Sequence, residues 1–237
     1  MVTIKKSKNF ISEKINYKFL LLIIAFLFIA MNSTAQVKKP PVKKHTVKKT
    51  KVKEKETLGK GTFKDIRDGK IYKTIIIGKQ TWMAQNLAYK ETDGCWIYNN
   101  DENNIKKYGY LYDWKTAKTA CPKGWHLPSD AEWTTLTDYL GGIYAAGGKM
   151  KKVDKSIWKS PNTGATNSSG FTALPGGYRN AMEQFYDAGS IGYWWSSTDG
   201  NPLTTSWVRY VGFDFSSVNR DCRDKINGYS VRCIKDK

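Results

Sequence analysis

Between Val37 and Glu56 the chain reads VKKPP-VKKHT-VKKTK-VKEKE, with valine returning at every fifth residue. A five-residue period coincides with neither the helical turn nor the two-residue alternation of a strand, so the tract offers no continuous apolar face to bury. From Lys38 to Lys60 it carries ten lysines, two glutamates and two prolines, a net charge of +8. Self-repulsion and the lack of apolar surface predict an extended, disordered tether. Any core this chain builds must lie to one side of it.

The amino-terminal side has a different use. Met1–Lys18 sets Lys5, Lys6, Lys8, Lys14 and Lys18 against the single Glu13, and Phe19–Ala30 (FLLLIIAFLFIA) then runs for twelve residues without a polar side chain. A membrane-spanning helix needs about 20 such residues, so the run reads as the apolar region of a secretory signal peptide. Small residues at Ser33 and Ala35 form a cleavage site, and cleavage is expected after Ala35; an uncleaved anchor is the alternative reading. No cysteine stands near the site, so a lipid-anchored N-terminus is not expected. The expected organisation is a leader over 1–35, a basic tether over 36–60 and one domain over 61–237. An exported protein, secreted, periplasmic or at the cell surface, follows from this reading.

Of the formal charge of +18, the leader holds +4 and the tether +8, which leaves +6 on the domain. The basicity therefore belongs largely to the appendages. The tether is either a solvated spacer or a contact for acidic polymers and anionic headgroups. Nucleic acid would suit the charge but not an exported chain, and no nucleic-acid partner is expected.

Cys95, Cys121, Cys222 and Cys233 all fall in the domain. An even number in an oxidising compartment favours disulfides, in any of three connectivities, with buried thiols as the alternative. There is no C-x-x-C, and His45 and His126 are the only histidines, so neither a metal nor another cofactor is expected.

Residues 61–237 are enough for one domain with a full core. Lys70–Ile77 and Gln80–Ala84, joined at Gly78-Lys79, read as a β-hairpin. Two short helices are expected. Asp113–Ala120 carries Trp114, Ala117 and Cys121 on one face. Asp130–Leu140 follows Pro128 and a Ser129/Glu132 capping box, with Trp133, Leu136 and Leu140 in its buried stripe. Gly170–Leu174, Tyr193–Ser197, Ser206–Phe213 and Tyr229–Ile234 read as strands, with breaks at Gly147-Gly148 and Gly176-Gly177. Few helices and irregular strands indicate an α+β domain.

Six ordered runs carry a family resemblance: Asp68-Gly69-x-x-Tyr72; Ile77-Gly78-x-Gln80-x-Trp82-Met83-x-x-Asn86-Leu87; Cys121-Pro-Lys-Gly-Trp-His-Leu-Pro-Ser-Asp-Ala-Glu-Trp133; Leu174-Pro-Gly-Gly-Tyr-Arg179; Gly192-Tyr-Trp-Trp-Ser-Ser-Thr198; and Ser230-Val-Arg-Cys-Ile-Lys-Asp236. Together they closely resemble the Fibrobacter succinogenes major paralogous domain, a family of exported and surface proteins, from about Thr62 to Asp236. That family is similar to the C-type-lectin-like fold. The resemblance implies two short helices with irregular antiparallel sheets. It also implies a Cys121–Cys233 bridge from the first helix to the last strand and, with it, a pairing of Cys95 with Cys222. A bridge closing a loop of this length stabilises by about 4–5 kcal/mol in the chain-entropy model.

The resemblance does not carry a sugar-binding calcium site. The Glu-Pro-Asn or Gln-Pro-Asp tripeptide and the Trp-Asn-Asp strand that would supply oxygen ligands are missing; Asn201-Pro202-Leu203 and Trp207-Val208-Arg209 stand instead. Asp214, Asp221 and Asp224 read as scattered surface acids. Trp125–Trp133 also resembles a segment of the formylglycine-generating branch of this fold, whose oxidase chemistry needs a late cysteine pair. The implied bridge already uses Cys233. His126, between Trp125 and Leu127, reads as structural, and no phosphate-cradling loop or nucleophile elbow is present. The expected function is non-catalytic binding of glycan or protein at the cell envelope or outside the cell. An enzyme on the same scaffold, formylglycine-generating-like or hydrolase, and a purely structural surface module are the alternative readings. Trp194, Trp195, Trp207 and Arg209 are the candidate contacts, because adjacent strand residues face opposite sides and one of the paired tryptophans should be exposed.

Overall fold

A computed structural model of the protein describes residues 59–237; the leader, and the tether up to residue 58, lie outside them. The order opens with three strands, β1 (Lys60–Lys64), β2 (Ile71–Ile77) and β3 (Gln80–Met83), and continues through β4 (Cys95–Trp96), α1 (Asn103–Tyr108), β5 (Leu111–Tyr112), α2 (Trp114–Ala120) and β6 (Trp125–His126). Helices α3 (Asp130–Tyr139) and α4 (Ile143–Met150) precede β7 (Gly176–Arg179), β8 (Phe185–Ala188), β9 (Ile191–Asp199), β10 (Thr205–Gly212), β11 (Asn219–Asp224), β12 (Tyr229–Ser230) and β13 (Ile234–Lys235). The domain is thus α+β.

A five-stranded sheet runs β1-β2-β3-β13-β6. A second, eight-stranded sheet runs β11-β10-β9-β12-β5-β4, with β7 and β8 added at β9. The expected hairpin pairs Ile75 with Trp82 and Ile77 with Gln80, turning at Gly78 in the left-handed region (φ 61°). The segment read as one strand over Tyr229–Ile234 is two. It leaves the larger sheet after Ser230 and enters the smaller one at Ile234, so Val231, Arg232 and Cys233 stitch the sheets together.

Neighbouring residues on these strands feed two cores. Tyr72, Met83, Trp195 and Cys233 join one, under α2; Ile75, Trp82, Trp194 and Ile234 join the other, under α3 and α4. Period-two alternation normally leaves one face for water, but here both faces are covered, and burying each large apolar side chain contributes roughly 1.5–3 kcal/mol.

Both expected helices form. Asp113 caps α2, its carboxylate accepting from Thr116 N at 2.7 Å. Ser129 caps α3: its Oγ accepts from Glu132 N at 3.3 Å, and Glu132 Oε2 accepts from Ser129 N at 2.8 Å. The reading of Gly147-Gly148 as a break is corrected, because both lie inside α4. A Cβ at Gly147 would meet Ser217 O at 2.3 Å and one at Gly148 would meet Gly164 O at 2.4 Å. These glycines let backbone approach the helix and do not mark a turn. Gly176-Gly177 likewise opens β7. Conversely, Gly170–Leu174 is not a strand. It makes a single bridge, Ala173 with Lys151, and Gly170 and Thr172 are left-handed (φ 70° and 58°).

One disulfide closes the domain, Cys121 to Cys233 across a sequence separation of 112. The pairing of Cys95 with Cys222 is corrected: both are free thiols. Cys95 lies on β4 and Cys222 on β11, the two outer strands of the larger sheet with four strands between them, whereas a disulfide needs Cα atoms within about 7 Å.

Candidate functional site

The four residues expected to contact a ligand do not form a site. Trp194 is 1% exposed and Trp195 is 0% exposed. Trp194 Nε1 donates to Asn86 Oδ1 at 2.9 Å and Trp195 Nε1 to Tyr112 O at 2.7 Å. The expectation that one of the pair reaches solvent fails because β9 is an interior strand with a core on each side. Arg209, 3% exposed, is a structural tie: its guanidinium bonds Asp130 Oδ1 at 2.7 and 2.9 Å and Thr134 Oγ1 at 3.0 Å, pinning α3 to β10. Trp207 is half-buried, with the Arg220 guanidinium 3.5 Å from its ring centre.

A different aromatic surface is assembled on the face of β9, β10 and β11 that carries Trp195. Register places Tyr193 opposite Tyr210 and Val208 opposite Trp195, so Tyr193 and Tyr210 share that face. Tyr178 of β7 stacks on Tyr186 of β8 at 5.6 Å and on Tyr229 of β12 at 5.5 Å. Tyr193 meets Tyr178 edge-on at 5.4 Å and Tyr210 at 5.5 Å. The row runs from Tyr186, which is 41% exposed, through half-buried Tyr178 to half-buried Tyr210.

Charged groups border the row. The Tyr193 hydroxyl donates to Asp187 Oδ2 at 2.9 Å, and Asp187 holds a left-handed conformation (φ 65°). Burial pushes the Tyr193 and Tyr229 phenols far above their ordinary range, so both stay protonated donors. Arg223 Nη2 pairs with Asp221 Oδ2 at 2.8 Å, while its Nε is buried without a hydrogen-bond partner among the described residues. Burial works against its charge, but the Tyr229, Asp221, Tyr193 and Tyr210 oxygens outweigh burial and raise its pKa. Flat rings, a cation with a spare N–H and a carboxylate together suit a ring-shaped polar ligand. Sequence reasoning missed this face. The usable signal was the spacing of Tyr193 and Tyr210, each two residues from a core residue on the same strand face.

His126 and Ser129 lie in one hydrogen-bonded cluster with two carboxylates, Asp236 and Glu132. His126 Nδ1 lies 2.6 Å from Asp236 Oδ1 and Nε2 lies 3.0 Å from Glu132 Oε1. Ser129 Oγ donates to Glu132 Oε2 at 2.9 Å and is engaged in the helix cap. Burial pushes the Cys95 thiol up to about 11, the reverse of what a nucleophile requires. Among the described residues no group of three His, Cys, Asp or Glu side chains could hold a metal ion, and no helix is long and apolar enough to cross a membrane.

Among the described residues, four short helices and two curled sheets, locked by one disulfide, define an α+β domain with an aromatic face on its larger sheet. The chain belongs to the Fibrobacter succinogenes major domain family, whose model matches residues 75–235. Nothing among curated proteins or solved structures matches it.

Proposed function

We propose that the folded part is a non-catalytic binding domain that takes a glycan on its tyrosine face, exported by the leader and displayed at the envelope or outside the cell on the basic tether. The observation that carries the reading is the exposed Tyr186 ring stacked on Tyr178 at 5.6 Å, with the partly exposed Arg223 guanidinium on the same sheet face. Sugar rings stack their C–H faces on exposed aromatics, and their hydroxyls accept from exposed guanidinium N–H groups. The raised Cys95 thiol supports the absence of cysteine-based catalysis. The C-type-lectin-like assignment is part of the same proposal, supported by the bridge from the end of α2 to the start of β13.

A glycan array probed with the full chain, followed by titration of the best neutral sugar, tests this reading. Tyr186→Ala should abolish binding without unfolding, since that ring is exposed, whereas Trp207→Ala should leave binding intact. Equal binding by the Tyr186→Ala variant refutes the site, and capture of a protein in place of any glycan refutes the ligand class. For the tether, deletion of residues 37–58, which spares Gly59 and the β1 residue Lys60, should remove adhesion to anionic vesicles; adhesion that survives deletion makes the tether a spacer.

A further inference from the structure

A cleft of about 660 Å³ opens between the start of β1, the middle of β2 and the 167–172 loop, lined by Lys60, Lys73, Thr74, Asn167, Ser168 and Thr172 among others. That volume lies within the range of small-ligand pockets, about 300–1,000 Å³. Its loop wall is held in an uncommon shape. Asn167 and Thr172 are both left-handed without being glycine (φ 48° and 58°). Each braces the other: Thr172 N donates to Asn167 Oδ1 at 2.9 Å, and Asn167 Nδ2 donates to Thr172 Oγ1 at 3.2 Å. Behind the loop, buried Arg232 fixes Phe171 O at 2.6 Å. Backbone held in sparsely populated regions on a rigid support is characteristic of ligand clamps.

The cleft is positive. No carboxylate lines it, and neither Lys60 nor Lys73 forms an ion pair with a described residue. A second hollow of about 200 Å³ includes Gln85 in its lining, and Gln85 Oε1 accepts from the N–H of Lys73, a residue of the first cleft, at 2.8 Å. This hollow adds Lys70, Lys106 and Lys107 and again no carboxylate, although Asp68 lies close enough for its Oδ1 to accept from Lys70 N at 2.9 Å.

We propose that the cleft binds an acidic saccharide, with Lys60 and Lys73 taking a uronic carboxylate and the amide and hydroxyl side chains of Thr74, Asn167, Ser168 and Thr172 taking ring hydroxyls. A longer acidic chain continues past Lys106 and Lys107. The lining favours this class over single-stranded nucleic acid, because no aromatic ring lines the cleft for a base to stack on. None of the lining residues belongs to the tyrosine face, so the two sites stand or fall separately.

Calorimetric titration of the full chain with tetragalacturonate and with a neutral galactose tetrasaccharide tests the proposal. The acidic tetramer should bind, more weakly as salt is raised, and the neutral one should not. Lys60→Gln/Lys73→Gln should weaken the acidic tetramer about tenfold. Lys106→Gln/Lys107→Gln should leave the tetramer unchanged and weaken only polygalacturonate. The tether is present in every variant, so its own attraction for polyanions cancels. Unchanged tetramer affinity in Lys60→Gln/Lys73→Gln overturns the proposal. Tighter binding of an oligodeoxythymidylate of equal charge, or loss of tetramer binding in Tyr186→Ala, overturns it as well.

Discussion

Arg232 donates to Asn86 Oδ1 through both Nε (3.1 Å) and Nη2 (2.7 Å), inside the core and with no carboxylate for a partner. The same oxygen accepts from Trp194 Nε1, and Asn86 Nδ2 donates to Tyr108 O at 2.8 Å. One amide thus ties together the chain crossing between the sheets, the central strand of the larger sheet and the end of α1. Burial lowers the Arg232 pKa to about 9, which still leaves it charged at neutral pH. Asn86→Ala strands a buried charge and should cost about 3–5 kcal/mol, read from urea midpoints. A loss below about 1 kcal/mol would mean that the backbone carbonyls suffice.

The thiol arrangement can be read by mass. Alkylation of the unreduced, urea-unfolded protein should add two groups, on Cys95 and Cys222, and none on Cys121 or Cys233. Cys121→Ser/Cys233→Ser should lose about 4–5 kcal/mol on the chain-entropy account, whereas Cys95→Ser should be far milder. Finding no alkylated cysteine would restore the pairing that the strand order argues against.

His126 gives the fold a pH dependence. Burial disfavours its charged form, but the hydrogen bonds to Asp236 and Glu132 outweigh burial and raise its pKa above the ordinary 6.5. A group raised on folding stabilises fully below its unfolded pKa, and that contribution drains away as pH climbs through the folded value. Stability should therefore decline from about pH 6.5 upward, and His126→Gln should flatten that decline. Glu132 acts at the other end: burial opposes its ionisation, but its bonds to Ser129 and His126 lower its pKa, so its contribution is lost as pH falls through the acid range. A melting-temperature profile equally steep above neutrality in His126→Gln would dismiss the assignment.

Arg209 and Trp195 should behave as structural residues. Trp195→Ala empties a fully buried position and should cost about 3–5 kcal/mol. Arg209→Ala removes the tie from β10 to α3 and should cost about 2 kcal/mol, with Arg220 Nε, 3.2 Å from Asp130 Oδ2, retaining part of the contact. Wild-type melting in Arg209→Ala would show that the tie is idle.

What the sequence disclosed, it disclosed through local chemistry. The Ser129/Glu132 box, the Gly78 turn and the face shared by Trp114, Ala117 and Cys121 each act within a few residues, so the hairpin, α2 and α3 were legible. The misreadings share a cause: the deciding partner is far away in the chain. Gly147-Gly148 looks like a helix breaker until Ser217 and Gly164 are known to press on it. Trp194-Trp195 suggests one wet and one dry face until both faces of β9 are found covered. The tyrosine face draws on five strands, and the lysine cleft joins β1 to a loop a hundred residues later; neither leaves a short motif behind.

The disulfide also sets how this domain would yield under tension. A pull applied at the amino-terminal end of the domain arrives at β1, an outer strand paired only with β2 and closed by no covalent bond, so strand peeling starts there. A pull from the other side frees Ile234 and Lys235 and is then stopped by Cys233, bonded to the end of α2. The domain is mechanically polar: compliant at its amino-terminal strand and locked at the opposite end.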